Sequence, residues 1–191
     1  GIGGKPVSNI ALYLTGSYNA DDGVARMLLE EHIEYEVVSI NASQERINNF
    51  ELIIIPSSNT LSEEEINKLK DFQNKGGALV VIGKGALNNK RDKFIFDLGA
   101  KYIGPSDFDM DYVQVRKELS NNLVSSPFIT YLPGIKSEAV EDSKILADIK
   151  VPYFSRTLEK YNGHLYAPNK LDKENYPCLL YTSDAADEWR R

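Results

Sequence analysis

The chain has 191 residues but only one cysteine, Cys178, and one tryptophan. A lone cysteine cannot form an intramolecular disulfide, and it leaves no set of thiolates for a structural zinc site. Basic residues are also in the minority, because 28 acidic residues against 22 lysines and arginines give a formal net charge of −6. Nucleic acids and anionic membrane surfaces both favour basic patches. The composition therefore argues against both as partners.

Long apolar runs are missing as well. The longest ones, residues 52–56 and 78–82, have the length of a strand, far below the ~18 residues of a membrane-spanning helix. We therefore expect no membrane-spanning segment. The chain starts with Gly1 rather than methionine and shows no basic and then apolar leader, so we expect its natural start to lie upstream. No localisation is predicted.

Strand and helix patterns alternate through the first half of the chain. Compact apolar runs predict strands at 9–15, 35–40, 52–55 and 78–82. Helical patterns follow Asp21 and occupy 41–49, 62–76 and 92–98. The clearest helix follows Ser62, because Glu65 completes a capping box and Gly76 provides a stop. Strands that alternate with helices through short turns predict a parallel, doubly wound α/β sheet.

The second half of the chain is richer in short strands. Patterns at 111–115, 138–140 and 144–149 predict strands separated by polar turns, and 120–125 fits a short helix. We expect these strands to extend the sheet edge or to form a small β-rich extension. The predicted division is an α/β core at 1–104 and a strand-rich extension of the same domain at 105–177.

The C-terminal stretch has an unusual resemblance. Residues 178–188, CLLYTSDAADE, resemble the translation of a transposase-type sequencing-library adapter. We therefore expect residues 178–191 to be a non-native tail, and Cys178 is then lost as a candidate nucleophile. The alternative is a genuine C-terminal strand at 179–182 followed by an acidic tail.

The order of motifs resembles a known family. The segments NIALYLTG, ELIIIP and LSEEEINKLKDFQNKGGALVVIG, followed by FIFDLGAKYIG, are similar to the glutamine-amidotransferase-like domain found behind the catalytic barrel of some glycoside hydrolases. That domain is often called the β-galactosidase trimerisation domain. The later segment VPYFSRTLEKYNGHLYAPNK resembles the part that follows it in a less characterised group of glycosidases. The resemblance implies a flavodoxin-like, class I glutamine-amidotransferase-like sheet flanked by helices, with a β-rich C-terminal extension.

This resemblance implies a non-catalytic accessory and oligomerisation domain. Its partners would be the protein's own N-terminal catalytic barrel, absent from this chain, and further copies of the protein in a homo-oligomer. The glycosidase carboxylates would lie in that barrel, so the resemblance implies no catalytic residue, cofactor or metal in this chain. The alternative is a stand-alone amidotransferase-like hydrolase or a small-ligand-binding flavodoxin-like domain, with its site beyond the carboxyl ends of the strands.

Four residues remain candidates for a ligand pocket or a domain interface. A working amidotransferase would carry a cysteine in the turn after the fourth strand, where this chain has Lys84 and Gly85. Lys84 stays a candidate because a buried lysine amine can act in catalysis, although turn lysines are usually solvated. Tyr153, Arg156 and His164 lie close together in the later segment and complete the set.

Two further motifs give weaker indications. The turn at 15–19 lies where flavodoxin-like folds bind phosphate, but Asp21 and Asp22 at the helix start would repel an anion. The alternating aspartates of SDFDMDY, residues 106–112, could bind a cation, but the glycine and distal glutamate of a calcium loop are missing. We therefore predict neither a cofactor nor a metal at these motifs.

Overall fold

A computed structural model describes residues 8–57, 61–120, 123–140, 142–160, 163, 166–171 and 175–182. The chain divides into two compact units, and the division falls between Phe96 and Asp97. The first unit contains helices and strands, whereas the elements of the second are strands. Among the helices of the described residues, none combines the length and apolar character needed to cross a membrane.

Strands and helices alternate along the first unit, as the sequence predicts. They are β1 (Ile10–Tyr13), α1 (Tyr18–Glu30), β2 (Glu36–Val38), α2 (Gln44–Asn48), β3 (Leu52–Ile55), α3 (Glu63–Asn74) and β4 (Ala78–Val81). The four strands form one sheet with the order β2-β1-β3-β4, and every pair in it is parallel. The predicted parallel α/β sheet flanked by helices is therefore confirmed.

The core of this unit occupies both faces of the sheet. On one face, strand and α1 side chains form a single buried cluster. Its members are Leu12, Val24, Leu28 and Ile54. Alternate strand residues point to opposite faces, so Ile53 and Ile55, both 0% exposed, belong to the other face. The continuous apolar runs of β1 and β3 thus reflect strands that are buried on both sides.

The start of α3 confirms the predicted capping box. Ser62 Oγ accepts a hydrogen bond from Glu65 N at 3.3 Å, and Glu65 Oε2 accepts one from Ser62 N at 2.8 Å. Two backbone N–H groups that the helix leaves without an internal partner are thereby satisfied. The apolar residues of α3 are buried, so the capped end fixes where its apolar face begins.

Two local predictions in this unit are wrong. Residues 92–98 form no helix, and Phe94 instead makes an antiparallel bridge with Leu87. An isolated helix of that length, rich in aromatic and β-branched residues, is marginal. In addition, α1 begins at Tyr18, before the acidic pair expected to start it. Asp21 lies one turn inside the helix, where its side chain accepts hydrogen bonds from the turn that precedes the helix.

The second unit is antiparallel. Its described strands are β5 (Ala100–Pro105), β6 (Asp111–Val115), β7 (Phe128–Thr130), β8 (Ile135–Ala139), β9 (Ser143–Lys150) and β10 (Asn175–Thr182). A four-stranded sheet has the order β10-β9-β6-β7, and β5 pairs with β8 in a second sheet. These strands do not extend the edge of the parallel sheet, so that alternative is wrong. The division of the chain at residue 104 stays a prediction.

Two expectations for the second unit need comment. The described residues of 120–125 form no helix, since they are bends and irregular backbone, while 121 and 122 lie outside the described part. Strand β10 includes the first residues of the adapter-like stretch, and its pairing with β9 shifts register on both sides of Leu179. Residues 183–191 lie outside the described part. The non-native origin of 178–191 stays a prediction.

Candidate functional site

The turn between β1 and α1 is organised around the side chain of Asp21. Asp21 Oδ2 accepts hydrogen bonds from the backbone N–H groups of Thr15 and Gly16, both at 3.1 Å. Asp21 Oδ1 accepts one from the Thr15 hydroxyl at 2.7 Å. Backbone N–H groups at such a turn are the donors that a bound phosphate uses. Here those donors are satisfied by a buried carboxylate of the same chain.

An apolar cleft of about 360 Å³ lies beside this turn. Leu14 and Val37, 40% and 44% exposed, contribute to its wall. The charged residues among its described lining are Asp21 and Asp22. A nucleotide site needs convergent donors for the phosphates in addition to apolar surface. Because Asp21 already uses the donors of the turn, the cleft has the apolar part of such a site without the anion-binding part.

The turn after β4 leaves no room for a side chain at position 85. A Cβ atom on Gly85 would lie 2.3 Å from the carbonyl oxygen of Pro56, which is backbone and cannot swing away. The neighbouring Gly83 has φ +55°, and Lys84 N donates a hydrogen bond to Ser57 Oγ at 3.2 Å. The Lys84 side chain is exposed. The turn therefore packs through its backbone on the end of β3 and presents Lys84 to solvent.

The later candidates belong to the second unit. Tyr153 is 50% exposed, and its N–H donates to Pro168 O at 3.0 Å. Arg156 lines a cleft of about 220 Å³. His164 lies outside the described residues. The structure thus places Arg156 in a cleft and Tyr153 on the surface three residues before it in the sequence.

Three separate segments form the cleft at Arg156. Its lining residues are Asp109, Met110, Phe154, Arg156, Tyr166 and Ala167. The Tyr112 hydroxyl donates to Ala167 O at 2.7 Å, and Asp109 N donates to Ser155 Oγ at 3.4 Å. These bonds tie the segments together, so the walls of the cleft are fixed by the fold. The sequence did not connect Asp109 or Tyr166 with Arg156, because only tertiary structure brings these segments together.

The three aspartates of residues 106–112 do not converge. Asp107 forms an ion pair at 2.9 Å with a lysine of β8. Asp109 faces the cleft. Asp111 is 1% exposed, and its carboxylate accepts hydrogen bonds from Ser106 Oγ at 2.9 Å and Gly134 N at 2.7 Å. Within the described part of the chain, no group of three or more His, Cys, Asp or Glu side chains could hold a metal ion.

Two tyrosines of the described residues have raised pKa values. Burial, followed by the nearby carboxylate of Glu65, raises the pKa of Tyr13 well above its usual range. Burial also raises the pKa of Tyr112. A raised pKa keeps each phenol protonated and therefore able to donate its hydrogen bond. Both tyrosines act as structural donors, and neither lines a described cleft.

Comparisons with solved structures place this fold in much longer proteins. The chain is similar to α-L-fucosidase isoenzyme 2 from Paenibacillus thiaminolyticus, with 24% identity, 87% of this chain and 26% of that chain covered, and a TM-score of 0.79. It is similar to Gan42B, a GH42 β-galactosidase, with 16% identity, 80% and 25% covered, and a TM-score of 0.56. The exo-β-1,4-mannosidase Op5Man5 from Opitutaceae bacterium strain TAV5 gives 14% identity, 75% and 27% covered, and a TM-score of 0.51.

At these identities the likeness concerns the fold. The chain spans about a quarter of the length of each of these three proteins. The comparison with curated proteins finds no match. A family model described as "GLMA-like, second domain" matches residues 11–94, a range that runs from β1 past the turn after β4. Residues 11–94 are therefore similar to GLMA-like second domains, which are of the glutamine-amidotransferase-like, β-galactosidase trimerisation type that the sequence resembles.

Proposed function

We propose that this chain is an accessory domain of a glycoside hydrolase and performs no catalysis itself. The observation that carries the proposal is the GLMA-like second domain at residues 11–94. A second domain by that description accompanies another domain in the same protein. The fucosidase, β-galactosidase and mannosidase that share the fold are all glycoside hydrolases, which supports the same parent class.

The geometry of the turn after β4 supports the non-catalytic part of the proposal. An amidotransferase of this fold needs a cysteine there with a base that activates it. Gly85 cannot accept a side chain without a shift of the Pro56 backbone, and Lys84 points to solvent. The sheet order β2-β1-β3-β4 agrees with the first four strands of the flavodoxin-like order. We therefore infer a flavodoxin-like, class I glutamine-amidotransferase-like scaffold whose nucleophile position is vacant.

In the parent protein, we propose that a catalytic barrel precedes Gly1 and carries the sugar-cleaving carboxylates. The domain would pack against that barrel and contribute to a homo-oligomer. The β-galactosidase trimerisation type of the domain supports this role. The sugar specificity and linkage would then be set in the barrel.

The intact gene tests the proposal directly. Sequencing across both ends should reveal an upstream reading frame for a barrel, continuous with Gly1, and a natural continuation that replaces residues 178–191. A gene that begins close to Gly1 would contradict the accessory role. The present chain should hydrolyse neither glutamine nor nitrophenyl fucosides, galactosides and mannosides, whereas the complete parent protein, assayed in parallel, should cleave one of these glycosides.

The alternative of a stand-alone hydrolase or nucleotide binder has less support. It needs Lys84 in a pocket with an acidic partner and free backbone donors at the turn after β1. Lys84 is exposed, and the donors at Thr15 and Gly16 bond to Asp21. Turnover of glutamine by the present chain, abolished by Lys84→Ala, would favour this alternative.

A further inference from the structure

Both outer strands of the parallel sheet lie beside exposed apolar surface. At one edge of the sheet, next to β2, the cleft of about 360 Å³ exposes Leu14 and Val37. At the other edge, Val80 of β4 is 42% exposed, although its partner in register, Ile54, is only 7% exposed. Parallel strands are normally covered on both faces. Each edge of the sheet therefore presents apolar surface that a second molecule can cover.

The apolar surface next to β2 continues along α1. Tyr18, Asp22 and Ala25 of α1 line the cleft. Leu29 lies on the same side of the helix, because residues three and four positions apart face the same way. Leu29 is 62% exposed. The apolar surface thus extends from the cleft to the last turn of α1.

The segment that carries this surface is acidic. Residues 18–38, which span α1, the following turn and β2, contain six acidic residues against one arginine, so their net charge is −5 with histidine neutral. The acidic residues are Asp21, Asp22, Glu30, Glu31, Glu34 and Glu36. Asp21 bonds to its own turn and Glu36 pairs with Arg46, whereas the other four are exposed. We call the cleft and residues 18–38 the acidic edge.

The loop after β4 carries the opposite charge. Residues 84–93 contain four basic residues against one aspartate, so their net charge is +3. The basic residues are Lys84, Lys90, Arg91 and Lys93, and all four are exposed. The aspartate, Asp92, accepts a hydrogen bond from Asn88 at 2.7 Å. We call this loop and Val80 the basic edge.

Residues outside the described part add no net charge to the first unit. Every charged residue of the two segments is described. The residues of the first unit that lie outside the described part are 1–7, 58–60 and 184–191. They contain three basic and three acidic residues, so their formal charges cancel. They supply no net charge that could offset either edge.

We propose that the first unit associates head to tail with a second copy of this chain, with the acidic edge of one copy against the basic edge of the next. Opposite charges and apolar surface on both sides make the two edges complementary. Two copies that met through the same edge would bring like charges together, which disfavours a two-fold contact through either edge. The inference rests on the homo-oligomer of the proposed function and names the surfaces that form it.

Sedimentation of the complete 191-residue chain tests this association. A reducing agent excludes disulfide dimers through the exposed Cys178. The average mass should rise with protein concentration above that of one chain. The association should weaken at least about tenfold between about 0.05 M and about 0.5 M salt, because salt screens exposed charges. The mass of a single chain at a concentration of about 1 mM, or an association that salt does not weaken, would overturn the proposal.

Charge reversals at the two edges test which surfaces meet. Glu30→Lys with Glu34→Lys alters the acidic edge, and Lys90→Glu with Lys93→Glu alters the basic edge. Each double variant alone should sediment as a single chain. An equimolar mixture of the two should form a heterodimer and no larger species, because each chain keeps one intact edge and the two intact edges differ. Association of either double variant alone, or a mixture that stays monomeric, would contradict a head-to-tail contact.

Matched charge reversals in the second unit control for net charge. Glu118→Lys with Glu159→Lys, and Lys117→Glu with Lys160→Glu, make the same changes of charge at exposed positions. Both double variants should associate as the wild type does. Loss of association in these controls would show that overall charge, rather than the two edges, governs the contact and would overturn the proposal.

A pair of variants in α1 tests the apolar part of the acidic edge. Leu29→Gln should weaken the association at least threefold. Met27→Gln makes a similar change at a residue that is 50% exposed but lies roughly 160° away around the helix axis, so it should leave the association unchanged. Circular dichroism reports whether each variant is folded. Equal effects of the two substitutions would contradict the assignment of this side of α1.

The association and the gene structure are separate outcomes. An upstream barrel together with a monomeric chain would leave the accessory role intact and remove the head-to-tail contact, as would an acidic edge that serves another partner. A gene that begins close to Gly1 would remove the accessory role, whereas formation of the heterodimer would still establish the contact.

Discussion

The hydroxyl of Tyr13 donates a hydrogen bond to Glu65 Oε1 at 3.0 Å. The same carboxylate accepts from Ser62 through its other oxygen. Glu65 therefore joins the capping box of α3 to the end of β1, in the middle of the sheet. Tyr13 is 0% exposed, so this bond connects the core of the first unit to the start of a helix.

Replacement of Tyr13 should change both the free energy of unfolding and the way in which that free energy falls at alkaline pH. Tyr13→Phe removes a bond to a carboxylate and should lower the free energy of unfolding by about 1.5 kcal/mol near neutral pH. In the wild type, the unfolded phenol ionises above its ordinary pKa of 10.0, while the folded phenol stays protonated. The folded state then holds the extra proton, so stability is complete below that pH and falls above it. Urea unfolding at about pH 8 and about pH 10.5 measures how much stability each protein loses between the two pH values, and this loss should be smaller in Tyr13→Phe than in the wild type. An equal loss in both proteins would contradict this role of Tyr13.

The capping box should make a measurable contribution to α3. Ser62→Ala removes the acceptor for Glu65 N and should lower stability by about 1 kcal/mol. The matched control is Ser17→Ala at the start of α1, where the side chain makes no capping bond; we expect a change of a few tenths of a kcal/mol. Chemical denaturation of both variants measures the difference. Similar losses would show that the box adds nothing beyond the local preference for serine.

The side chain of Asp21 should contribute more to the free energy of unfolding than that of its exposed neighbour Asp22. Asp21→Asn replaces one accepting oxygen by an NH₂ group facing N–H donors, so we expect a loss of about 2 kcal/mol. Asp22→Asn changes the same charge near the same helix terminus without those bonds and should cost about 0.5 kcal/mol or less. Urea unfolding compares them. Equal losses would mean that the helix dipole, rather than the turn, accounts for the effect.

Position 85 should reject the cysteine that an amidotransferase would carry. Gly85→Cys forces a Cβ against Pro56 O and should destabilise by more than about 2 kcal/mol. Lys84→Cys should be nearly neutral, since that side chain is exposed. Gly23→Ala, in α1 with no atom within 4 Å of the added Cβ, should stabilise by about 0.5–1 kcal/mol. Thermal melts report all three, and a stable Gly85→Cys would contradict the packing described at the turn.

Two ion pairs that arginines form within the described part of the chain should differ in strength. Arg116 holds Asp148 through two hydrogen bonds at 2.7 and 2.9 Å, with the Asp148 side chain 14% exposed. Arg116→Met should lower the free energy of unfolding by about 1 kcal/mol, because the mostly buried carboxylate of Asp148 loses both donors. Arg46→Met breaks a single 3.4 Å contact with Glu36 and should cost less than about 0.5 kcal/mol. Denaturation of both variants at low and high salt measures the two losses of stability. A loss in Arg46→Met that equals or exceeds the loss in Arg116→Met would contradict the geometry.

Local sequence signals predicted the first unit well. β3 and the capped start of α3 match closely, because a continuous apolar run and a capping box act over a few residues. The helix prediction for residues 92–98 was wrong because it rested on a short local pattern alone. These residues do include apolar side chains, but Phe94 forms a bridge with Leu87 instead of packing as part of a helix. A short apolar pattern does not decide between these two outcomes.

The site depended on contacts that no local pattern contains. Arg156 was a candidate from its own segment, but its cleft partner Asp109 had been considered only as part of an alternating acidic motif. The strands β5 and β7 were also missed, since short antiparallel strands are defined by their partners. The charge of Asp21 alone predicts that the turn disfavours phosphate, whereas the bonds of Asp21 to the turn are visible only in the structure.

Asp21 also bears on how this scaffold could change its chemistry. A carboxylate tethered one turn away competes for the N–H groups of Thr15 and Gly16 at an effective concentration of about millimolar or higher. A free phosphate would have to displace the Asp21 carboxylate before it could bind these N–H groups. The chain thus supplies its own acceptor to the N–H groups of Thr15 and Gly16, and loss of the Asp21 carboxylate would leave these groups without that acceptor.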